Sequence, residues 1–249
     1  MITPNTDSAK KFLTSVRADE SVGKAIGSQI LTASKKQGHS LVQCAERLGV
    51  MRQYLDELQK GARDLSGAEV SLLQRIANYL NVDCGVMQIA VGNLTISDFT
   101  ADSKLSPIHV VSKQAATWLR AEYARSLVRL AADYGYEKVG NPLSVACSLE
   151  RVEKAAAEES WLNVSEQRIT ERKDEELLNW LVAAGRERSC TLEGFSRFIS
   201  VLPRTTYELF NGHQPLHGMG YVEVRRIALY LAIPAAAVFA AGGYLGQKV

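Results

Sequence analysis

Apolar residues along the chain fall at helical rather than alternating spacing. Ile26, Ile30 and Ala33 mark one face of a first helix, which Gly38 stops. Ser40 stands where a helix N-cap is wanted, and Gln43 three residues on completes a capping-box pattern. Leu41, Cys44, Ala45 and Leu48 then form the inner face of a second helix, and Gly49 permits a tight turn that a side chain would hinder. A third helix is predicted from about Met51 to Gln59, with Leu55 and Leu58 inward and Gly61 ending it. A fourth runs from about Gly67 to Leu80, with Val70, Leu73, Ile76, Ala77 and Leu80 inward, and a fifth follows Asp83.

The same pattern returns later in the chain. Residues 24–94 align without a gap with residues 175–245, and 16 of these 71 pairs are identical. The identities follow the elements. Leu41 pairs with Leu192, Glu57–Leu58 with Glu208–Leu209, Gly61 with Gly212, and RIANYL at 75–80 with RIALYL at 226–231. Repeat two departs at three informative places. Ser200 replaces Gly49, Thr206 falls where Leu55 is inward, and Pro203 would open its third helix, a position that suits proline.

The repeat settles an ambiguity. From Ile227 to Gly246 no residue is charged, and Arg225 and Arg226 precede the stretch, which by length and flank fits a membrane helix. Its counterpart, LQRIANYLNVDCGVMQIAVGNL, carries Arg75 and Asp83. The stretch is therefore expected to be a buried terminal helix pair, and no membrane partner is expected.

The expected layout is a flexible N-terminal tail at 1–20, a domain at 21–94, a helical linker or dimerisation segment at 95–174, and a second, diverged domain at 175–249. The net charges of these pieces are 0, +2, −1 and +1. In the middle segment one helix is predicted from about His109 to Tyr134, with Trp118, Leu127, Leu130 and Ala131 among its apolar positions, and another from about Leu143 to Glu159. Residues 126–135, SLVRLAADYG, echo SLVQCAERLG at 40–49, but Asn141–Pro142 would interrupt a third copy of the motif.

Composition then narrows the class. The chain has 249 residues, 46% of them hydrophobic and 22% charged, which excludes a disordered or fibrous chain. The net charge of +2 neither demands nor excludes nucleic acid, because the layout of charge matters more than its sum. Cys44, Cys84, Cys147 and Cys190 are far apart and form no C-x-x-C, so neither a zinc site nor a disulfide framework is expected. The polar N-terminus carries no signal-peptide pattern, and a cytoplasmic, bacterial nucleoid-associated protein is expected. His213 and His217 are four apart but sit in a Gly/Pro-rich turn without a third ligand. No phosphate-binding, nucleophile-elbow or zinc-protease motif occurs, so neither catalysis nor a cofactor or metal is expected.

A helix, a short turn centred on Gly49 and a second helix make a helix-turn-helix arrangement. Ala45 is small enough for the two helices to cross closely, and Val50 and Leu55 close the core beneath the second one. Its other face is free to enter a major groove about 12 Å wide. Residues 26–83 resemble the Cro/C1-type, or XRE-like, helix-turn-helix family. The resemblance is carried by SLVQCAERLGVMRQYLDELQKG at 40–61 and RIANYLNV at 75–82, and extends to repeat two through the internal repeat. One departure is Leu41, at a place where many members hold a phosphate-gripping Gln.

The resemblance implies an all-α protein with two five-helix Cro/C1-type domains joined by a helical middle segment. It implies double-stranded DNA as partner and a third helix that reads bases. The base-reading candidates are Arg52, Gln53, Tyr54 and Glu57, with Arg204 and Thr205 in repeat two; the phosphate candidates are Lys35, Lys36, Lys60, Arg63, Arg186 and Arg197. The implied function is sequence-specific regulation of transcription by a homodimer, with Trp118 and Leu127 at the dimer interface. Repeat one would be the principal reader. Repeat two, with Tyr207, Leu209 and Phe210, would offer apolar surface to a protein partner. Two rivals stand beside this: an accessory protein of plasmid partition or conjugal transfer, and a helix-turn-helix-derived protein-interaction module.

Overall fold

The computed structural model describes residues 5–17, 21–99, 121–134 and 175–245. The described residues are helical, with no strand among them. They divide into two compact units. One holds the described residues up to Ile96 together with 122–134, and the other holds 97–99 and 175–244.

The first unit is built from α1 (Thr6–Arg17), α2 (Val22–Lys36), α3 (Leu41–Leu48), α4 (Arg52–Gln59), α5 (Val70–Tyr79), α6 (Cys84–Ala90) and α7 (Ala121–Tyr134). α2 packs against α4, and α3 against α4 and α5. The α2–α4 contact is close because Gly23 and Gly27 lack side chains. A Cβ on Gly27 would stand 3.0 Å from the Gln59 amide nitrogen, and one on Gly23 would collide with the Arg63 carbonyl. The core is formed by Ile26, Ile30, Cys44, Leu48, Leu55, Leu58, Leu73 and Ile76, all fully buried or nearly so.

Two expectations for the N-terminal part of this unit are corrected. Residues 6–17 are not a flexible tail. They form α1, whose Ala9, Phe12, Leu13 and Val16 are buried and which packs on α2 and α6. The four sit at i, i+3, i+4 and i+7, a complete helical stripe hidden among Lys, Thr and Ser. The fourth helix of the repeat begins at Val70 rather than Gly67, because Gly67 takes a left-handed φ of +74° and Glu69 is the N-cap.

α7 belongs to this unit. Its Tyr123 donates a hydrogen bond of 2.8 Å to Asp83 Oδ1, and the same oxygen accepts from the Gly85 amide at the start of α6. Leu127, Leu130 and Ala131 are buried. Leu127 lies against Gly85, so its apolar surface is spent inside the unit and does not form the expected dimer interface. Trp118, the helix predicted at 143–159 and most of the middle segment lie outside the described residues.

The second unit repeats the plan with α8 (Glu175–Glu187), α9 (Leu192–Ile199), α10 (Pro203–Phe210), α11 (Tyr221–Leu231) and α12 (Ala235–Ala241). α9, α10 and α12 begin and end 151 residues after α3, α4 and α6 (192 − 41, 203 − 52 and 235 − 84). The left-handed positions recur as well. Gly38, Gly49, Gly61, Asn81 and Gly92 have positive φ, and so do Ser189, Ser200, Gly212, Ala232 and Gly243. No single helix among the described residues is long and apolar enough to cross a membrane. α11 and α12 reach that length only as a pair, and they are bent by 114°. Their apolar residues are core: Val224, Ile227, Ala236, Val238 and Phe239 are fully buried.

The two arginines that flank this apolar stretch are used internally. Arg225 forms a paired hydrogen bond with Asp98, 2.7 and 2.8 Å, with both side chains largely buried. Such a pair is costly to break from one side, because the remaining charge is left buried. Arg226 turns the other way, toward α9.

Candidate nucleic-acid interface

In both units the turn between the second and third helices of the repeat is built alike. Ser40 caps α3 as a full capping box: its hydroxyl accepts from the Gln43 amide at 3.3 Å, and the Gln43 side chain accepts from the Ser40 amide at 2.9 Å. Thr191 caps α9 at the equivalent place, accepting from the Gly194 amide at 2.9 Å. Each of these helices ends in a left-handed residue, Gly49 (φ 65°) or Ser200 (φ 59°). The exposed carbonyl at the helix end is then taken by an arginine from the fourth helix. Arg75 Nε donates to the Leu48 carbonyl at 2.7 Å, and an Arg226 terminal nitrogen donates to the Ile199 carbonyl at 3.1 Å. The identity of Arg75 and Arg226 across the repeat thus has a structural use, closing orphan carbonyls at a helix C-terminus.

The third helix starts immediately after an exposed apolar residue. Met51 is 79% exposed and Leu202 73% exposed, and both are N-caps without a side-chain capping bond. Arg52 and Gln53 follow, both exposed. Arg52 Nε lies 4.0 Å from Asp56 Oδ2. Gln53 Nε2 donates to Glu57 Oε1 at 2.9 Å, and Arg63 Nε donates to Glu57 Oε2 at 2.8 Å. The Arg63 guanidinium also lies over the Tyr54 ring, 4.6 Å from its centre. Four candidates therefore form one network on the open face of α4, and both Glu57 oxygens are engaged. Hydrogen bonds from Arg63 and then Gln53 hold the Glu57 carboxyl below its ordinary range. Burial, against the neighbouring Arg63 charge, pushes the Tyr54 phenol above its ordinary value.

On α10 the equivalent of Gln53 is Arg204, whose Nε donates to Glu208 Oε1 at 2.7 Å. Thr205 is half-buried. Tyr207 is 44% exposed, whereas Leu209 and Phe210 are buried, so the exposed apolar run expected on this helix shrinks to Leu202 and Tyr207. The physical reason is helical phase. Leu209 and Phe210 fall one turn after Thr206, on the face turned toward α9.

Of the phosphate candidates, Lys35 and Lys36 lie exposed in the last turn of α2, and Lys60 is exposed at the end of α4. Arg63 is held by Glu57. Arg186 and Arg197 are exposed on α8 and α9. Among the described residues no group of three or more His, Cys, Asp or Glu side chains is placed to hold a metal ion. His213 and His217 lie in a turn and a 3-10 segment, both exposed.

Two features of the site were missed by the sequence reading. The Glu57–Arg63 contact joins residues six apart, across the end of α4, a spacing no helical periodicity flags. Arg75 and Arg226 were visible as an identity, but their carbonyl partners are 27 residues away. Compared with known proteins, the chain matches no family model, no curated protein and no solved structure.

Proposed function

We propose that this chain is a sequence-specific DNA-binding regulator of transcription that places α4 in the major groove as a helix-turn-helix recognition helix. The observation that carries the reading is the geometry of the α3–Gly49–α4 corner. Its inner residues and carbonyls are closed by Leu55 and Arg75, while Arg52 and Gln53 stay exposed on the helix that follows the turn. Arg pairs bidentately with guanine and Gln with adenine. Lys35, Lys36 and Lys60 supply exposed positive charge to meet phosphates, which set affinity and register rather than sequence.

Repeat two offers the same corner with Arg204 at the reading position and more apolar exposure at Leu202 and Tyr207, which suits a secondary reader or a protein contact. Repeat one is the principal reader in this account. A homodimer remains part of it, formed through surfaces other than Leu127.

The experiment is the binding of the full chain to random-sequence duplexes at several salt concentrations. With three lysine–phosphate contacts, log affinity falls against log salt with a slope of about −2.7 or steeper. A chain that has become only a protein-interaction module shows no salt-dependent affinity for duplex DNA.

A further inference from the structure

The third helices of the two repeats keep one acid and exchange one reader. Glu57 and Glu208 are equivalent, and each accepts a hydrogen bond from the residue four positions before it. That residue is a glutamine in repeat one and an arginine in repeat two. The bonds leave the reading groups unspent. Gln53 uses one amide hydrogen on Glu57 and keeps its second N–H and its carbonyl oxygen, the pair needed for adenine N7 and N6. Arg204 uses Nε on Glu208 and keeps both terminal nitrogens, the fork needed for guanine O6 and N7. The Arg204 side chain is 86% exposed, so that fork faces solvent.

An exposed long side chain normally samples many rotamers, and fixing it on binding has an entropic cost. An acid on the next turn of the same helix restricts that sampling before the base arrives. In repeat one the acid is itself held, because Arg63 occupies its second oxygen while lying on Tyr54.

From this pairing we infer that Glu57 and Glu208 are positioning residues, and that the chain reads a DNA site with two unlike elements, an adenine met by Gln53 and a guanine met by Arg204. The inference rests on the DNA-reading proposal above and adds to it the bases read and the asymmetry of the site. A symmetrical duplication would read the same base twice. The exchange at 53 and 204 makes one chain read two different ones.

The test is selection by the full chain from a library of random duplexes, followed by the reciprocal exchanges. The native chain enriches a sequence with two different elements. Gln53→Arg turns the required adenine of one element into guanine, and Arg204→Gln turns the guanine of the other into adenine. Each wrong base costs roughly 5- to 150-fold in affinity. A new preference cannot arise from misfolding, so the exchanges are informative even where a variant loses stability. Glu57→Ala lowers the preference for adenine roughly 2- to 12-fold, the effect of one lost hydrogen bond, and leaves the guanine element as selective as before. A merely structural role for Glu57 would weaken binding of the first element alike whichever base it carries, and would leave the preference for adenine unchanged. Enrichment of one element only, or of two identical elements, or exchanges that leave the required bases unchanged, overturns this inference while duplex reading stands. If no sequence is enriched, duplex reading fails and this inference fails with it.

Discussion

Ser196 Oγ lies 2.7 Å from Thr206 Oγ1, with both side chains buried, where repeat one has the apolar pair Ala45 and Leu55. The Ser196 hydroxyl also donates to the Leu192 carbonyl at 2.7 Å, which fixes which hydroxyl donates in the pair. Two polar substitutions at the crossing of α9 and α10 have been accommodated together, since neither group is left without a partner.

The pair should therefore be coupled. Ser196→Ala leaves the Thr206 hydroxyl buried and unpaired and lowers stability by about 1–3 kcal/mol. The double change Ser196→Ala with Thr206→Leu restores the composition of repeat one and recovers most of that loss. A double-mutant cycle by denaturant unfolding measures this; additive losses would show that the two sites are independent.

The turn residue gives a prediction of opposite sign in the two repeats. Gly49→Ala places a Cβ in the left-handed region, 3.3 Å from Arg75 Nε, and costs about 1–2 kcal/mol. Ser200 already carries that conformational cost at φ 59°. Ser200→Gly stabilises its unit by up to about 1 kcal/mol, visible as a higher unfolding midpoint.

The five helices of repeat one were legible because their ends are written locally, in Ser40 and Gln43, Gly49, Gly61 and Asp83. The α1 helix was not, because its four buried residues are outnumbered by Lys, Thr and Ser and it lies outside the aligned stretch 24–94 that drew attention to the other helices. The reading face was legible as a set of residue types. The way Glu57 ties them together was only half legible: its bond to Gln53 is at helical spacing, whereas its bond to Arg63 crosses a loop. Conversely, Leu209 and Phe210 were assigned to the surface although their phase relative to Thr206 places them inward.

Truncating Leu13 checks the correction at the N-terminus. Leu13 is fully buried in α1, so Leu13→Ala costs about 2–5 kcal/mol in stability. A flexible tail would give no loss.

The Glu57 network makes a pH prediction. Its carboxyl titrates below the ordinary glutamate value, with Arg63 as the largest cause. Its bonds to Gln53 and Arg63 are thus fully present above the ordinary value and are lost as pH falls through the lowered one. In carbon-detected NMR titration, Arg63→Ala moves the Glu57 midpoint upward, toward the ordinary value, and an unchanged midpoint would refute the network.

Burial pushes the Cys84 thiol up to about 12. At pH 8 Cys84, which is half-buried, therefore stays protonated and reacts with a thiol-specific reagent more slowly in the folded chain than a free thiol does. Modification at the rate of a free thiol would contradict the packing described at the start of α6.

The most direct test of DNA reading compares three variants on one selected duplex and on a scrambled one, by fluorescence anisotropy at two salt concentrations. Arg52→Ala and Gln53→Ala each cost about 1–3 kcal/mol on the selected duplex and little on the scrambled one, and Lys60→Ala weakens both alike while reducing the salt slope by about one. Equal losses on both duplexes for Arg52 and Gln53 would contradict base reading by α4.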